Sequence, residues 1–279
     1  MKRLGRTHAA FAILALVVGC TALPQARNSP FHHSDAEVSV TRILHGAAVV
    51  EMHDTRVLVD PWFHSGFWVR HAEPLGLVPD GLPSLSAVLI THRHRDHFDA
   101  RALRDLAGSV PEAIAPAELH GRLTELGFQK VTDLDWWEHA SVGPITVTAV
   151  PARHGVRENG YVLEAGGASV YVAGDTRYYD ELVDVATRFP DLDAALLPIG
   201  GLRLLGFKRE MGPDDAARAA ALLNARHVIP IAYGAGGGFP LRWYARNPVD
   251  RFRDACKREH VDPDRIVVLE PGESWHSFK

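Results

Sequence analysis

The sequence predicts an α/β fold in which helices cover β-sheets. Short apolar runs recur along the chain, and several of them alternate with polar residues as half-buried strands do. The early runs follow one another in hairpin succession, whereas the later ones alternate with segments of helical periodicity. No linker divides this part of the chain, so residues 38–279 are predicted to form one domain.

The predicted strands are short runs rich in apolar residues. They are residues 37–43, 47–51, 56–60, 87–91, 145–151, 161–164, 169–173, 194–199, 228–232 and 266–269. The predicted helices share apolar residues at helical spacing. They are residues 100–106, 116–126, 178–188, 213–223 and 249–260. Residues 62–83 are aromatic and proline-rich without a period, so this loop either covers a site or packs into the core.

The first nineteen residues resemble a lipoprotein export signal. Lys2, Arg3 and Arg6 are followed by an apolar stretch that is too short to span a bilayer. The sequence VVGC at residues 17–20 then resembles the bacterial lipobox, in which the cysteine is lipid-modified. We expect cleavage before Cys20, a tether over residues 20–37, and an exported lipoprotein anchored to a membrane of the bacterial cell envelope. The alternative is an ordinary secretory signal in which Cys20 is incidental.

Composition excludes one class of partner. Residues 1–19 contain three of the 30 Lys and Arg residues and none of the 34 acidic ones, so the remaining chain has a formal charge of −7 with histidine neutral. Such a surface does not attract nucleic acid. Apart from Cys20 the chain has one cysteine, Cys256, so no intrachain disulfide is expected in the folded domain.

A dense cluster of metal-ligating side chains follows the apolar run at residues 87–90. The sequence THRHRDHFD at residues 91–99 contains three imidazoles and two carboxylates. Side chains at i and i+2 of an extended backbone point the same way, so His92 and His94 can converge on one point. Imidazole and carboxylate are typical ligands of zinc and related divalent ions. The alternative is a polar loop whose histidines only form hydrogen bonds.

Two further candidates come at strand ends. His154 follows the strand predicted at residues 145–151, and Asp175 follows the one predicted at residues 169–173. Either residue alone would usually be structural. Downstream of a histidine cluster, their placement indicates additional donors to the same site.

The order His-x-His-x-Asp-His, strand-end His and Gly-Asp resembles the metallo-β-lactamase fold superfamily, over about residues 40–272. Further segments resemble the branch that contains N-acyl-phosphatidylethanolamine phospholipase D and ascorbate-lactone hydrolases. They are RVLVDPWF at residues 56–63, PDGLP at 79–83, LPIGG at 197–201 and MGPDDA at 211–216.

The resemblance implies a four-layer αββα sandwich with metals at one edge of two sheets. It assigns His92, His94 and His154 to a first metal position. It assigns Asp96 and His97 to a second, with Asp175 bridging the two. Asp60 would orient a ligand or hold the loop. Zn²⁺ is the default metal, as one or two ions, although manganese and iron also suit such donors.

The sequence departs from the family pattern at one position. The family has a further histidine after the strand predicted at residues 228–232, where this chain has Ala232 followed by Tyr233. Three outcomes remain open: a weakly held second metal, a single metal, or a compensating ligand such as Tyr233 or His276.

The expected activity is hydrolysis, with a metal-bound hydroxide attacking an ester-type bond and Asp96 orienting or deprotonating the water. The candidate substrates are a phosphodiester, a phospholipid or a lactone; β-lactam hydrolysis has no support from the neighbouring motifs. A set of arginines suggests a small-molecule or lipid-like substrate that is anionic, unless they only neutralise nearby carboxylates. These are Arg93, Arg95, Arg153, Arg157 and Arg177. The alternative function is a catalytically impaired binding protein that keeps one metal, because the last family histidine is Ala232.

Overall fold

The structure, a computed structural model, describes residue 31 and residues 37–66, 69–237 and 242–277. The predicted signal at residues 1–19, Cys20 and most of the predicted tether lie outside the described residues. No helix among the residues described is long and apolar enough to cross a bilayer.

Nine of the ten predicted strands and all five predicted helices are present in the predicted order among the described residues, and nine further short strands were not predicted. The strands are β1 (Val38–Leu44), β2 (Ala47–Met52), β3 (Thr55–Val59), β4 (Val69–His71), β5 (Ala87–Leu89), β6 (Ala113–Ala115), β7 (Val131–Asp133), β8 (His139–Val142), β9 (Ile145–Pro151), β10 (Asn159–Ala165), β11 (Ala168–Val172), β12 (Ala194–Pro198), β13 (Arg203–Leu204), β14 (Phe207–Lys208), β15 (His227–Ile231), β16 (Ala235–Gly237), β17 (Arg242–Trp243) and β18 (Ser274–Ser277). The helices are α1 (Ala100–Leu106), α2 (His120–Leu126), α3 (Leu182–Arg188), α4 (Pro213–Leu223) and α5 (Pro248–Arg258).

Two large sheets form the centre of the fold. The first has the strand order β18-β1-β2-β3-β5-β6-β7 and the second the order β15-β12-β11-β10-β9-β8. In each sheet, antiparallel hairpins are continued by parallel strands that follow helical or irregular crossovers. This is the succession that the hydrophobic pattern predicts.

The apolar residues form three layers of core. One cluster lies between the two sheets and contains residues of both, such as Val50 and Val147. A second packs α1 and α2 against the first sheet, and a third packs α3, α4 and α5 against the second. Helices on the outside and two sheets inside give the four-layer αββα sandwich that the sequence resemblance implies.

Some predicted elements differ from the observed ones. The strand predicted at residues 266–269 is absent: Ile266 forms one isolated bridge with Val228, and the carbonyl of Leu269 accepts a hydrogen bond from the Arg42 guanidinium instead of a strand partner. The helix predicted at 178–188 begins only at Leu182, because the Tyr179 hydroxyl is bound to the Pro151 carbonyl of the neighbouring strand. Tertiary contacts override local periodicity at both places.

Trp62 and Phe63 of the aromatic segment predicted at residues 62–83 pack into the core, whereas Phe67 and Trp68 lie outside the described residues. Trp62 is fully buried and Phe63 nearly so, in the cluster beneath α1. The Trp62 ring contacts His45 and His71 edge-on, with centroids 5.5 and 4.4 Å apart. Trp62 therefore supports the rings of these two histidines from within the core.

Asp99 links the start of α1 to this segment. Its Oδ1 accepts hydrogen bonds from the backbone N–H groups of Arg101 and Ala102, and its Oδ2 accepts from those of Phe63 and His64. An acidic N-cap satisfies donors that the first turn of a helix leaves free. One buried carboxylate thus holds a helix end and the preceding loop.

We expect Asp99→Ala to lower the free energy of unfolding by about 2–4 kcal/mol, because it removes the helix cap and leaves buried N–H groups without an acceptor. Urea denaturation of the metal-free protein measures this change. The control is Asp105→Ala on the exposed face of α1, expected within about 0.5 kcal/mol of wild type. Equal midpoints for Asp99→Ala and wild type would contradict this role.

Candidate metal centre

The predicted donors meet at one end of the sandwich. There, strand ends of the first sheet lie next to strand ends of the second. Strand β5 leads into the histidine loop. Strand β9 leads to His154, and strand β11 leads to Asp175. The sheets are joined here by a hydrogen bond from the Asn159 N–H to the Thr91 carbonyl and by a bridge between His92 and Glu158. The seam between the sheets therefore brings together residues that are distant in the chain.

Asp60 fixes the histidine loop to the end of β3. Its backbone adopts the left-handed conformation, with φ of 45°. Its carboxylate accepts hydrogen bonds from the Thr91 N–H at 2.8 Å, from the Thr91 hydroxyl at 2.7 Å and from His97 Nδ1 at 2.7 Å. The bond to Nδ1 leaves His97 Nε2 as the nitrogen that faces the centre.

The three histidines of the expected first position converge. His94 Nδ1 lies 3.0 Å from His92 Nε2 and 3.0 Å from His154 Nε2. Zinc–nitrogen bonds of about 2.0–2.1 Å in a tetrahedron place two ligand nitrogens about 3.4 Å apart. The observed separations are close to this value. These three nitrogens could therefore hold one ion.

The outer nitrogens of two of these rings have other partners. His92 Nδ1 lies 3.0 Å from Glu158 Oε1, and His154 Nδ1 donates to the Arg209 carbonyl at 2.7 Å. Such partners fix the ring and its tautomer and leave the inward lone pair for a metal. Burial and the neighbouring histidine charges lower the pKa of His94 to about 4, and burial also lowers that of His92 and His154. The trio is thus neutral at pH 7, the state that coordinates metals.

Asp175 lies between this trio and His97. Its Oδ2 is 3.2 Å from His97 Nε2, and one donor atom each of His92, His97 and Asp175 lies within 4.8 Å of the others. Burial opposes a charge on His97, but Asp175 and Asp60 raise its pKa well above the usual value. Burial likewise opposes ionisation of Asp175, yet His97 holds the pKa of this carboxyl well below its usual range. The centre therefore favours positive charge, as a cation site requires.

Two buried glutamates beside Asp175 were not found from the sequence. Glu158 Oε1 accepts a hydrogen bond from the Asp175 N–H, and Glu210 Oε1 accepts one from the Leu202 N–H. Burial and the nearby Asp175 charge raise the pKa of both well above the usual value. Gly174 makes the approach of Glu158 feasible, because a Cβ there would lie 2.6 Å from Glu158 Oε1. The position of Glu158, directly before β10 at the same sheet edge, was the available signal.

Neither suggested substitute for the missing histidine reaches the centre. The Tyr233 ring packs under the Arg42 guanidinium, and its hydroxyl points to the Leu269 carbonyl. His276 pairs with Ser39 near the start of β1, at the opposite end of that strand from the centre. Both suggestions were wrong, because side-chain direction and strand register, which spacing does not reveal, turn these residues elsewhere.

His45 lies at the centre instead, although it was not predicted from the sequence. It occupies the turn between β1 and β2, and its carbonyl accepts a hydrogen bond from the Ala232 N–H at 3.0 Å. Donor atoms of His45, Asp96 and His97 lie within 4.8 Å of one another. The available signal was a histidine directly after a strand that leads to the same edge.

A cleft of about 590 Å³ opens above these donors. Its lining is formed by Val69, His94, Arg95, Asp96, His154, Gly155, Asp175, Leu202, Leu204 and Arg209. Of the five arginines singled out from the sequence, only Arg95 is part of this lining. Arg93, Arg153 and Arg157 pair with Glu118, Glu181 and Asp135, and Arg177 donates to the Arg153 carbonyl. The additional cleft arginine, Arg209, was not predicted.

Comparisons with known proteins agree with this geometry. Residues 55–233 match the family described as the beta-lactamase superfamily domain. A metal-dependent hydrolase of Pyrococcus furiosus is 30% identical over 85% of this chain and 98% of its own length. Igni18, a metallo hydrolase of Ignicoccus hospitalis, is 25% identical with a TM-score of 0.69, over 87% of this chain and 99% of that one. An N-acyl-phosphatidylethanolamine-hydrolyzing phospholipase D of Caenorhabditis elegans is 25% identical over 88% of this chain and 77% of its own length.

The chain therefore belongs to the metallo-β-lactamase fold superfamily, as its motifs predict. It is a metal-dependent hydrolase. This result favours the predicted hydrolase over the alternative, a catalytically impaired protein that only binds a metal.

We expect His94→Ala to weaken zinc binding by more than about 100-fold, because loss of outer partners of a metal ligand alone costs about 10–100-fold. Competition between the metal-free protein and a chromophoric chelator measures the affinity. The exposed His139→Ala is the matched control and should bind zinc like wild type. Unchanged affinity in His94→Ala would show that the trio does not hold the metal.

Proposed function

We propose that this protein hydrolyses an ester-type bond, in a phosphodiester, a phospholipid or a lactone, and that its substrate combines an anionic group with an apolar part. The observation that carries the proposal is the composition of the cleft. His94, His154, Asp96 and Asp175 form its floor, and arginine and leucine side chains form its walls. A substrate must therefore present its scissile bond to the donors while its charge and its apolar portion contact different walls.

Arg209 is the main candidate for binding the anionic group. Its carbonyl accepts the hydrogen bond from His154 Nδ1, so its backbone is fixed beside the centre. Its side chain lines the cleft, and its buried Nε has no hydrogen-bond partner among the described residues. A guanidinium in this position suits phosphate or carboxylate oxygens. Arg95 lines the same cleft and adds a second positive charge.

The apolar wall extends to the protein surface. Leu202 and Leu204 line the cleft, and Leu204 is the last residue of β13 in the short hairpin with β14. On this hairpin Leu205 and Phe207 are 58% and 69% exposed. Large exposed apolar side chains beside a binding cleft favour a ligand with an apolar chain. This wall supports the lipid-like choice among the candidate substrates.

The chemistry follows from the donors at the floor. A divalent metal bound there, by default Zn²⁺, would lower the pKa of a water molecule towards about 7 and polarise the bond to be cleaved. The buried Asp96 carboxylate lines the floor and would orient the attacking water or accept its proton. Arg209 would bind the anionic group that an anionic substrate already carries and hold it beside the bond to be cleaved. The Caenorhabditis elegans relative, whose name describes hydrolysis of a phospholipid, supports the phosphodiester as the first substrate to test.

We also propose that the protein is exported and held at a bacterial membrane through lipid on Cys20. The basic start, the short apolar stretch and the sequence VVGC at residues 17–20 support this proposal. An anchored enzyme with an apolar rim would meet lipid-like substrates at the membrane surface, where they are concentrated.

We expect the metal-loaded protein to cleave bis(p-nitrophenyl) phosphate or N-acyl-phosphatidylethanolamine in mixed micelles.

Arg209→Gln should reduce kcat/KM for these anionic substrates about 10–100-fold, since a charge-assisted hydrogen bond contributes about 1.5–3 kcal/mol. A neutral lactone, assayed in parallel, should be much less affected. Arg157→Gln, whose side chain pairs with Asp135, is the control and should behave like wild type. Equal losses on neutral and anionic substrates would exclude the proposed role of Arg209, and no turnover on any ester-type substrate would exclude the proposed function.

We expect Cys20→Ser to move the protein from the detergent phase to the aqueous phase in Triton X-114 partitioning of expressing cells, because each buried methylene of an acyl chain contributes about 0.8 kcal/mol. Metabolic labelling with palmitate should mark wild type and not the variant. Wild-type protein that is unlabelled and found in the aqueous phase would contradict the anchor.

A further inference from the structure

We propose that His45 is a metal ligand and that it completes a second ion position together with Asp96, His97 and Asp175. This inference rests on metal binding by the protein but not on the identity of its substrate. The sequence left this position one donor short at Ala232. The structure supplies a donor from another segment of the chain.

The donor atoms have the spacing that a shared ion needs. His45 Nε2 lies 3.7 Å from Asp96 Oδ2, beyond hydrogen-bond distance but close to the separation of two ligands on one metal. One donor atom each of His45, Asp96 and His97 lies within 4.8 Å of the others. His97 also belongs to the group with His92 and Asp175, so this position adjoins the first one.

The His45 imidazole is buried without a hydrogen-bond partner among the described residues. Its exposure is 1%, and neither Nδ1 nor Nε2 has a hydrogen-bond partner among the described residues. An unsatisfied buried polar group costs about 1–3 kcal/mol, so a fold that retains one normally has a use for it. Asp175 Oδ1, at the same centre, is likewise unsatisfied. A cation between these side chains would satisfy the free lone pairs.

The backbone holds His45 in a conformation that aims it at the centre. Its φ is 52°, in the left-handed region that a residue other than glycine rarely adopts. The Ala232 N–H binds its carbonyl, and the Trp62 ring packs edge-on against its imidazole. Ala232 is itself left-handed, with φ of 57°. The two-residue loop between β1 and β2 requires such a positive φ, so the hairpin itself fixes the direction of the His45 side chain.

The hydrogen bond between residues 45 and 232 explains how one segment can replace the other. It joins the β1–β2 turn to the end of β15, so both segments border the same position. A donor carried by the turn can therefore serve an ion that the end of β15 does not contact. The second position is thus complete although residue 232 has no donor side chain.

The test is the metal content of His45→Asn. Asparagine tolerates left-handed backbone, so this variant should keep the turn while losing the imidazole. Metal-free proteins are loaded with excess Zn²⁺, freed of unbound metal and subjected to elemental analysis. We expect about two ions per chain in wild type and about one in His45→Asn. The matched control is His71→Asn, which removes another histidine that packs against Trp62, and it should keep both ions.

A cobalt titration of wild type provides a measurement that needs no variant. The visible absorption should saturate in two steps, and in His45→Asn the second step should be lost. Two ions in His45→Asn, or one ion in wild type, would overturn the role of His45 and leave the hydrolase function intact. No bound metal in wild type would overturn both.

Discussion

The arrangement of the centre depends on the buried carboxylate of Asp60. It binds the backbone and hydroxyl of Thr91 and the Nδ1 of His97, so it fixes the first and the last part of the histidine loop at once. Because Asp60 directly follows β3 of the same sheet, the loop is placed by the sheet and not by its own conformation. Hydrogen bonds to the Thr91 and Ile90 carbonyls then attach the second sheet, which carries His154 and Asp175. The donors are thus positioned by the rigid part of the fold.

Burial gives these donors their chemical state. Desolvation keeps the histidine trio neutral, whereas Asp60 and Asp175 draw positive charge towards His97. Neutral imidazoles beside ionised carboxylates are the combination that divalent metals prefer. Without a cation, the buried His45 and Asp175 atoms would remain unsatisfied. Metal binding and the stability of this region are therefore coupled, since an ion would bind polar atoms that folding buries without hydrogen-bond partners.

The position of the centre also shapes the cleft. Donors at a sheet edge leave one side open, and here loop residues from 202 to 209 close part of it with Leu202, Leu204 and Arg209. Most of the arginines that are close in sequence to the predicted metal ligands pair with carboxylates outside the cleft. The cleft is therefore less positive than the number of these arginines suggests. The loop thus adds a few side chains to the cleft lining, while the donors themselves stand at strand ends of the two sheets.

The sequence alone determined what depends on neighbours in the chain. Helices α1 and α4 have the predicted limits, since apolar spacing and capping residues are local signals. The histidine loop and the strand ends that carry His154 and Asp175 were likewise predicted from adjacent residues. Tertiary structure decided which distant segments meet there: His45 instead of residue 232, Arg209 instead of most of the nearer arginines, and Glu158 behind His92. Local spacing sets the direction of a side chain relative to its own strand, whereas contact between segments depends on the register and packing of two sheets, which no single stretch of sequence encodes.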